Sequence, residues 1–297
     1  MPSSDPYATY ATWQLTPDLE QFLGRAGEFL HSDPVTHTVL LSACETLRTH
    51  GLHVYGGDEP HFGIRAGGDG VVEGVFVWTP AHRLALSPLA DKAAADDLAA
   101  LLSDAGEKLP GVGAERDTAE AFARAWERHA GVSAEVAFHD RLYRLGTLTP
   151  PGPAPQGTAR VAVEADRELL MRWHQEFGEA MGEPRSMGSG TWADTRIAYG
   201  GITLWETPDG TPVAMSGRTR LVAGQVRVAP VYTPAAHRGR GYAGAATVEV
   251  CRAALAEGAD EVLLFADTAN PTSTGLYQRI GFRPVRDFAQ YSFSFTP

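Results

Sequence analysis

The run HRGRGYAGAATVEV, His237 to Val250, sets three glycines and two arginines directly ahead of a helix-like stretch of small and apolar residues. It follows QVRVAPVYTPAA, a β-rich run closed by Pro234 and two alanines. In a strand, turn and helix setting, glycines let backbone N–H groups converge, and the unpaired amides and dipole of a helix N-terminus favour an anion. Arg238 and Arg240 add charge-assisted donors, so the expected ligand bears phosphate. The spacing departs from the dinucleotide fingerprint, and no Gly-Lys-Ser or Gly-Lys-Thr follows to build a triphosphate loop. A glycine-rich helix start with two solvated arginines is the plain alternative.

A second run, ANPTSTGLYQRIGF from Ala269 to Phe282, places an asparagine ahead of a short helix pattern that carries Tyr277 and ends in Gly-Phe. Together the two runs resemble the GNAT superfamily of N-acetyltransferases. Arg238, Gly241 and Ala243 match its motif of Arg or Gln, two residues, Gly, one residue, then Gly or Ala; Asn270, Tyr277 and Gly281-Phe282 match its later signature. The likeness spans roughly residues 157–295. It implies an α+β acyl-CoA N-acyltransferase fold with a mixed central sheet flanked by helices. It implies acetyl-CoA as cosubstrate, with backbone groups of Val231 and Thr233 on the pantetheine arm and the segment Arg238, Gly239, Arg240, Gly241, Tyr242 and Ala243 on the diphosphate. Asn270 would touch the pantetheine through its side chain, and Tyr277 would protonate the departing thiolate.

The base is harder to assign. The resemblance implies a glutamate on the strand before the coenzyme loop, and QVRVAPVYT has none. Glu206 and Asp267, at the ends of neighbouring strand patterns, are the candidates; a water chain, or an amine already neutral when bound, would serve instead. His174, Glu176, Glu179 and Glu183 lie on or after the helix that would border the acceptor. Glu176 and Glu179, three apart, share a helix face and fit either amine recognition or a solvated surface. Trp173, Trp192, Trp205 and Tyr232 fit either packing or the wall of an acceptor site.

These residues need elements to hold them. Helices are expected over residues 17–32, 34–50, 91–102, 118–129, 166–181, 243–257 and 272–280, and strands over 61–65, 71–78, 82–86, 136–145, 202–206, 212–221, 225–233 and 261–267, with a last strand after the final helix. The stretch 191–200 reads as an irregular approach to a strand. TPPGPAPQG, Thr149 to Gly157, carries four prolines and two glycines and marks the expected boundary between residues 1–150 and 151–297. The first part reads as an accessory domain or a degenerate copy in a tandem protein, because it has no counterpart of HRGRGYA.

The chain has 297 residues, 43% of them hydrophobic, with a formal net charge of -11. Residues 1–150 hold 21 acidic and 11 basic side chains against 15 and 14 in the remainder, which argues against a nucleic-acid surface. Cys44 and Cys251 are too few for a disulfide framework, the histidines have no metal-ligand spacing, and no apolar run suits a membrane span or signal peptide. The expectation is a cytoplasmic monomer or homodimer without metal, acting on a small-molecule primary amine. A protein or peptide N-acetyltransferase and a non-catalytic coenzyme-A-binding protein are the alternatives.

Overall fold

The computed structural model describes residues 12–56, 58–182 and 191–295, which pack as two compact units. The first comprises the chain up to His139 together with Asp287 onwards; the second is Asp140–Arg286.

The first run of elements is β1 (Thr12–Thr16), α1 (Leu19–Ser32), α2 (Thr38–His50), β2 (His61–Ala66), β3 (Val72–Trp78), β4 (Leu84–Leu86), α3 (Lys92–Asp104), β5 (Gly111–Glu115), α4 (Arg116–Ala130) and β6 (Val132–Leu145). The second is β7 (Thr158–Val161), α5 (Arg167–Ala180), α6 (Trp192–Ala198), β8 (Ile202–Glu206), β9 (Pro212–Arg218), β10 (Gln225–Tyr232), α7 (Tyr242–Ala256), β11 (Glu261–Asp267), α8 (Pro271–Ile280) and β12 (Phe282–Phe295). Apart from two short 3₁₀ turns, the second run repeats the order of strands and helices in the first.

Within the first unit, β1, β2, β3 and β4 pair antiparallel in succession, and β4 pairs with β5 in parallel. The remaining flank of β5 is taken by β12, from Phe288 opposite Glu115 to Ser292 opposite Gly111. Aromatic rings fill this core: Phe22 of α1 stacks on Phe62 at 5.1 Å, and Trp126 of α4 meets Phe122 and Phe293 at 6.0 and 6.1 Å. Local signals set the helix ends. The Asp18 carboxylate accepts from the Gln21 amide to open α1, and Gly131, at φ 66°, closes α4.

In the second unit β7, β8, β9 and β10 pair antiparallel, β10 pairs with β11 in parallel, and β11 pairs antiparallel with the Asp140–Arg144 part of β6. Helices cover both faces of this mixed sheet. Val226, Val228, Val248, Cys251, Val262, Leu264, Tyr277 and Ile280 form the core under α7 and α8. Leu170, Trp173, Ala193, Ile202, Leu204, Met215 and Tyr232 form the core under α5 and α6.

The structure adds β1, β5 and β7 to the expected elements, and 191–200 holds a helix, α6, rather than an approach to a strand. TWQLT, GVGAE and TARV are short, and β5 in particular draws on Gly, Ala and Glu, residues of low strand propensity. Their pairing partners are remote in sequence. In α6 tertiary packing decides: Ala193 is fully buried and the Trp192 ring lies on His174 of α5.

Candidate active site

The site begins where β10 and β11 separate. These parallel strands pair only from Gln225 to Arg227, opposite Glu261 to Leu263. Beyond that, β10 keeps β9, with Val231 opposite Ser216 and Tyr232 opposite Met215, while β11 keeps β6 as far as Asp267. The facing flanks of the two strands therefore diverge, and the backbone of Val228 to Tyr232 on the β11 side has no strand partner among the described residues. A slot bounded by unpaired peptide groups suits an extended ligand that carries its own amides.

The same region contains a register shift between Val228 and Val231, around Pro230. Proline supplies no N–H to a ladder and sits in strands at edges or bulges. The shift changes which face each later residue occupies. Val226 and Val228 pack under α7, and so does Val231, whereas Tyr232 turns to the core under α5. Strict alternation would have left Tyr232 on the α7 face with Val226 and Val228.

At the end of β10 the chain makes a 3₁₀ turn over Ala235–His237 and enters α7 through Gly239 at φ 76° and Gly241 at φ 83°. A Cβ at Gly239 would meet nothing within 4 Å, and one at Gly241 only Pro155 at 3.8 Å, so backbone conformation rather than crowding selects glycine. Gly241 is the N-cap of α7 and no side chain caps the helix. The first intrahelical bond at this end is Ala245 N to Gly241 O, which leaves the amides of Tyr242, Ala243 and Gly244 without intrahelical partners. Arg238, Gly239, Arg240 and Gly241 are exposed beside them. Thr233 Oγ1, between the slot and this turn, is buried with no hydrogen-bond partner. Open amides, an orphaned hydroxyl and two nearby guanidinium groups fit a diphosphate joined to an extended polar arm.

The other expected residues take varied positions. Arg238 folds back, its Nε donating to the Thr233 carbonyl at 3.0 Å. Asn270 caps α8, its side-chain oxygen accepting from the Ser273 amide at 3.1 Å, with Pro271 starting the helix. Tyr277 is buried, its ring edge-on to Phe282 at 6.0 Å. Desolvation, with a further contribution from Cys251, pushes its phenol up to about 12. Glu206 is held by Arg160 at 2.6 Å, and the same guanidinium makes two bonds to Asp166, at 2.6 and 2.8 Å. Asp267 accepts from the Ala269 amide at 2.8 Å and shapes the turn into α8. Both carboxylates therefore have structural partners.

A third acidic side chain meets β10. The Tyr232 hydroxyl donates to Glu176 Oε2 at 2.7 Å, joining α5 to the end of the strand. Burial first, then the Glu176 carboxylate, raises the Tyr232 phenol, and Arg238 opposes the shift. Trp173 lies 6.2 Å from the Tyr232 ring, and His174 stacks on Trp192 at 3.8 Å. Burial, reinforced by Arg196, holds the His174 imidazole down at about 4, so it is neutral at pH 7. Trp205 is buried instead with Val213, Ala214 and Ala246. Glu183 lies outside the described residues. The pairing of Tyr232 with Glu176 depends on the register shift, for which Pro230 inside a strand pattern was the only sequence signal.

No helix among the described residues is long and apolar enough to cross a membrane, and these residues include no group of three or more His, Cys, Asp or Glu side chains placed to hold a metal ion.

The FR47-like protein family matches residues 215–291, which carry the end of β9, the diverging strands, the glycine turn and α8. No curated protein matches the chain. Among solved structures, the chain is similar to a GCN5-related N-acetyltransferase from Sphaerobacter thermophilus, with 20% identity, a TM-score of 0.59 and 94% of each chain covered. It is similar to an acetyltransferase of the GNAT family from Colwellia psychrerythraea, with 13% identity and a TM-score of 0.57 over 95% of this chain and 100% of that one. A tandem GNAT protein from the clavulanic acid biosynthesis pathway matches at 10% identity and a TM-score of 0.53, over 95% of this chain and 98% of that one. With its mixed sheets, flanking helices, diverging parallel strands and glycine turn, the chain has the GNAT fold.

Proposed function

We propose that the protein is an acetyl-CoA-dependent N-acetyltransferase acting on a primary amine of a small molecule, with its active site in the second unit. The observation that carries this reading is the continuous path from the β10 and β11 slot to the uncapped N-terminus of α7. Bound acetyl-CoA would supply a thioester, an acyl group already activated toward an amine. Val231 and Thr233 would hold its pantetheine arm through backbone groups, and the amides from Gly239 to Ala243, aided by Arg238 and Arg240, its diphosphate. N–H groups of β10 facing the slot would stabilise charge developing on the carbonyl oxygen.

Tyr277 is the proposed proton donor to the leaving sulfur. Its hydroxyl is protonated at neutral pH, as a proton donor must be. Tyr277→Phe is expected to slow acetyl transfer by about a hundredfold or more, the usual loss for a proton donor being about 10²–10⁴-fold. Binding of acetyl-CoA should persist. Single-turnover kinetics beside a binding isotherm separates the two, and an unchanged transfer rate would remove the hydroxyl from the chemistry.

We further propose that the first unit is a GNAT-like copy without a coenzyme site. The repeated element order and the match to a tandem GNAT protein support this reading. The turn that precedes α3 differs in the decisive respect: Asp91 is the N-cap, and its carboxylate accepts from the Ala93 amide at 2.9 Å. An anion already sits where a diphosphate would need open amides. Calorimetric titration with acetyl-CoA is therefore expected to give one site per chain. Two sites would refute the degenerate copy, and none, in folded protein, would refute the acetyltransferase reading itself.

A further inference from the structure

Glu176 is half-buried on α5, and its one hydrogen-bond partner shown is the uncharged Tyr232 hydroxyl at 2.7 Å. No lysine or arginine among the described residues makes a salt bridge to it. The neighbouring His174 is neutral at pH 7. Arg238 acts on the Tyr232 phenol while its Nε bonds the Thr233 carbonyl. A half-buried carboxylate whose one direct partner is an uncharged hydroxyl keeps lone pairs that a cation brought by a ligand can fill. Its position fits that role. Tyr232 is the last residue of β10, next to Thr233, and the register shift turns its ring out of the α7 face towards α5.

Resting on the acetyltransferase reading, we propose that Glu176, held by Tyr232, selects an acceptor whose primary amine is positively charged in solution and takes the proton that must leave before that amine can attack. The ammonium group docks against Glu176 and gives up one proton to it. The freed lone pair attacks the thioester carbonyl carbon; the new C–N bond forms, and the C–S bond breaks. Of the two protons the nitrogen sheds, one is balanced by the proton delivered to sulfur, and the other resides on Glu176 until solvent removes it. Glu176 thus fills the place left by the strand glutamate that QVRVAPVYT lacks. Tyr232 is a positioning residue.

The test uses the full chain and two separate titrations. Calorimetry with acetyl-CoA examines the underlying reading. Calorimetry with 1,4-diaminobutane, glucosamine and lysine, in the presence of coenzyme A, examines the assignment without requiring turnover. At least one of these cations is expected to bind the native chain, and Glu176→Gln to weaken that binding tenfold or more while acetyl-CoA binding stays within twofold. Tyr232→Phe, which keeps the ring, is expected to weaken amine binding by a smaller factor. Glu179→Gln, which removes a like charge bonded to Gln175 on exposed α5 surface, is expected to have less effect than Glu176→Gln. Amine binding by Glu176→Gln within twofold of native overturns the proposal, as does an equal loss in Glu179→Gln, or failure of every probe to bind a native chain that binds acetyl-CoA. Failure to bind acetyl-CoA strikes instead at the acetyltransferase reading.

Discussion

Gly241→Asp is expected to weaken acetyl-CoA binding by more than about a hundredfold while leaving the protein folded. The substitution puts a carboxylate at the N-cap of α7, the position Asp91 holds at α3, but on a left-handed backbone (φ 83°) where Asp91 is extended (φ -118°). Two effects add. The new carboxylate occupies space beside the amides that the diphosphate requires, and its charge opposes the ligand's own at the positive end of a 15-residue helix. Charge-assisted hydrogen bonds at roughly 1.5–3 kcal/mol each, together with the dipole contribution, bring the loss to about 3 kcal/mol or more. Gly241 has φ 83°, a region that aspartate and asparagine enter more readily than most residues. Gly241→Asn separates the effects, since it adds similar bulk without charge and should weaken binding less. Calorimetry at two salt concentrations measures both variants; native-like binding by Gly241→Asp would place the anion away from this helix end.

Gly281→Val is expected to have the largest effect on stability. Gly281 ends α8 at φ 112°, and a Cβ there would stand 2.0 Å from the Thr147 carbonyl oxygen and 3.0 Å from its carbon. That backbone has little freedom to retreat. Gly146 N donates to Gly281 O at 3.0 Å and Thr149 N to Ile280 O at 2.8 Å, tying the segment to the end of α8. Left-handed conformation and a backbone clash together should cost roughly 4 kcal/mol or more, a large fraction of an ordinary domain's stability. Gly210→Ala supplies the comparison: φ is 82°, but nothing lies within 4 Å of the added carbon, so only about 1 kcal/mol is expected. Urea unfolding of the two variants reads the difference. Equal midpoints would show that crowding at Thr147 relaxes without penalty.

The glycine turn and the Asn-to-Phe run were legible because their signals are local. Gly239 and Gly241 both hold positive φ, and Asn270 and Pro271 open a helix that Gly281 closes. The helix starts at Asp18 and Asp91 were legible for the same reason, each carboxylate reaching an amide two or three residues on. What escaped depends on partners distant in sequence. GVGAE carries little intrinsic strand preference and becomes β5 through β4 and β12. Trp192 and Ala193 lie in a helix through contact with α5 and its core. Glu206 and Asp267, the strand-end candidates for the proton acceptor, bond Arg160 and a turn amide. Glu176 was legible as a residue of the helix bordering the acceptor, but its bond to Tyr232 was not, because that follows from a one-residue shift in β10.

The sheet of the first unit takes its last strand from the end of the chain, at Phe288 to Ser292, beside β5 at Gly111 to Glu115. Phe293 lies against Trp126 in the same core. During synthesis, domains ordinarily fold in the order in which they emerge. Here the nascent N-terminal unit leaves the ribosome with one flank of β5 open and its aromatic core lacking a ring. It must wait for the whole of the second unit to be translated before its own sheet can close. An exposed strand edge held open for so long invites pairing with another chain. A chain that stops just short of Phe288 would therefore carry every residue of the second unit and still leave the first without its closing strand.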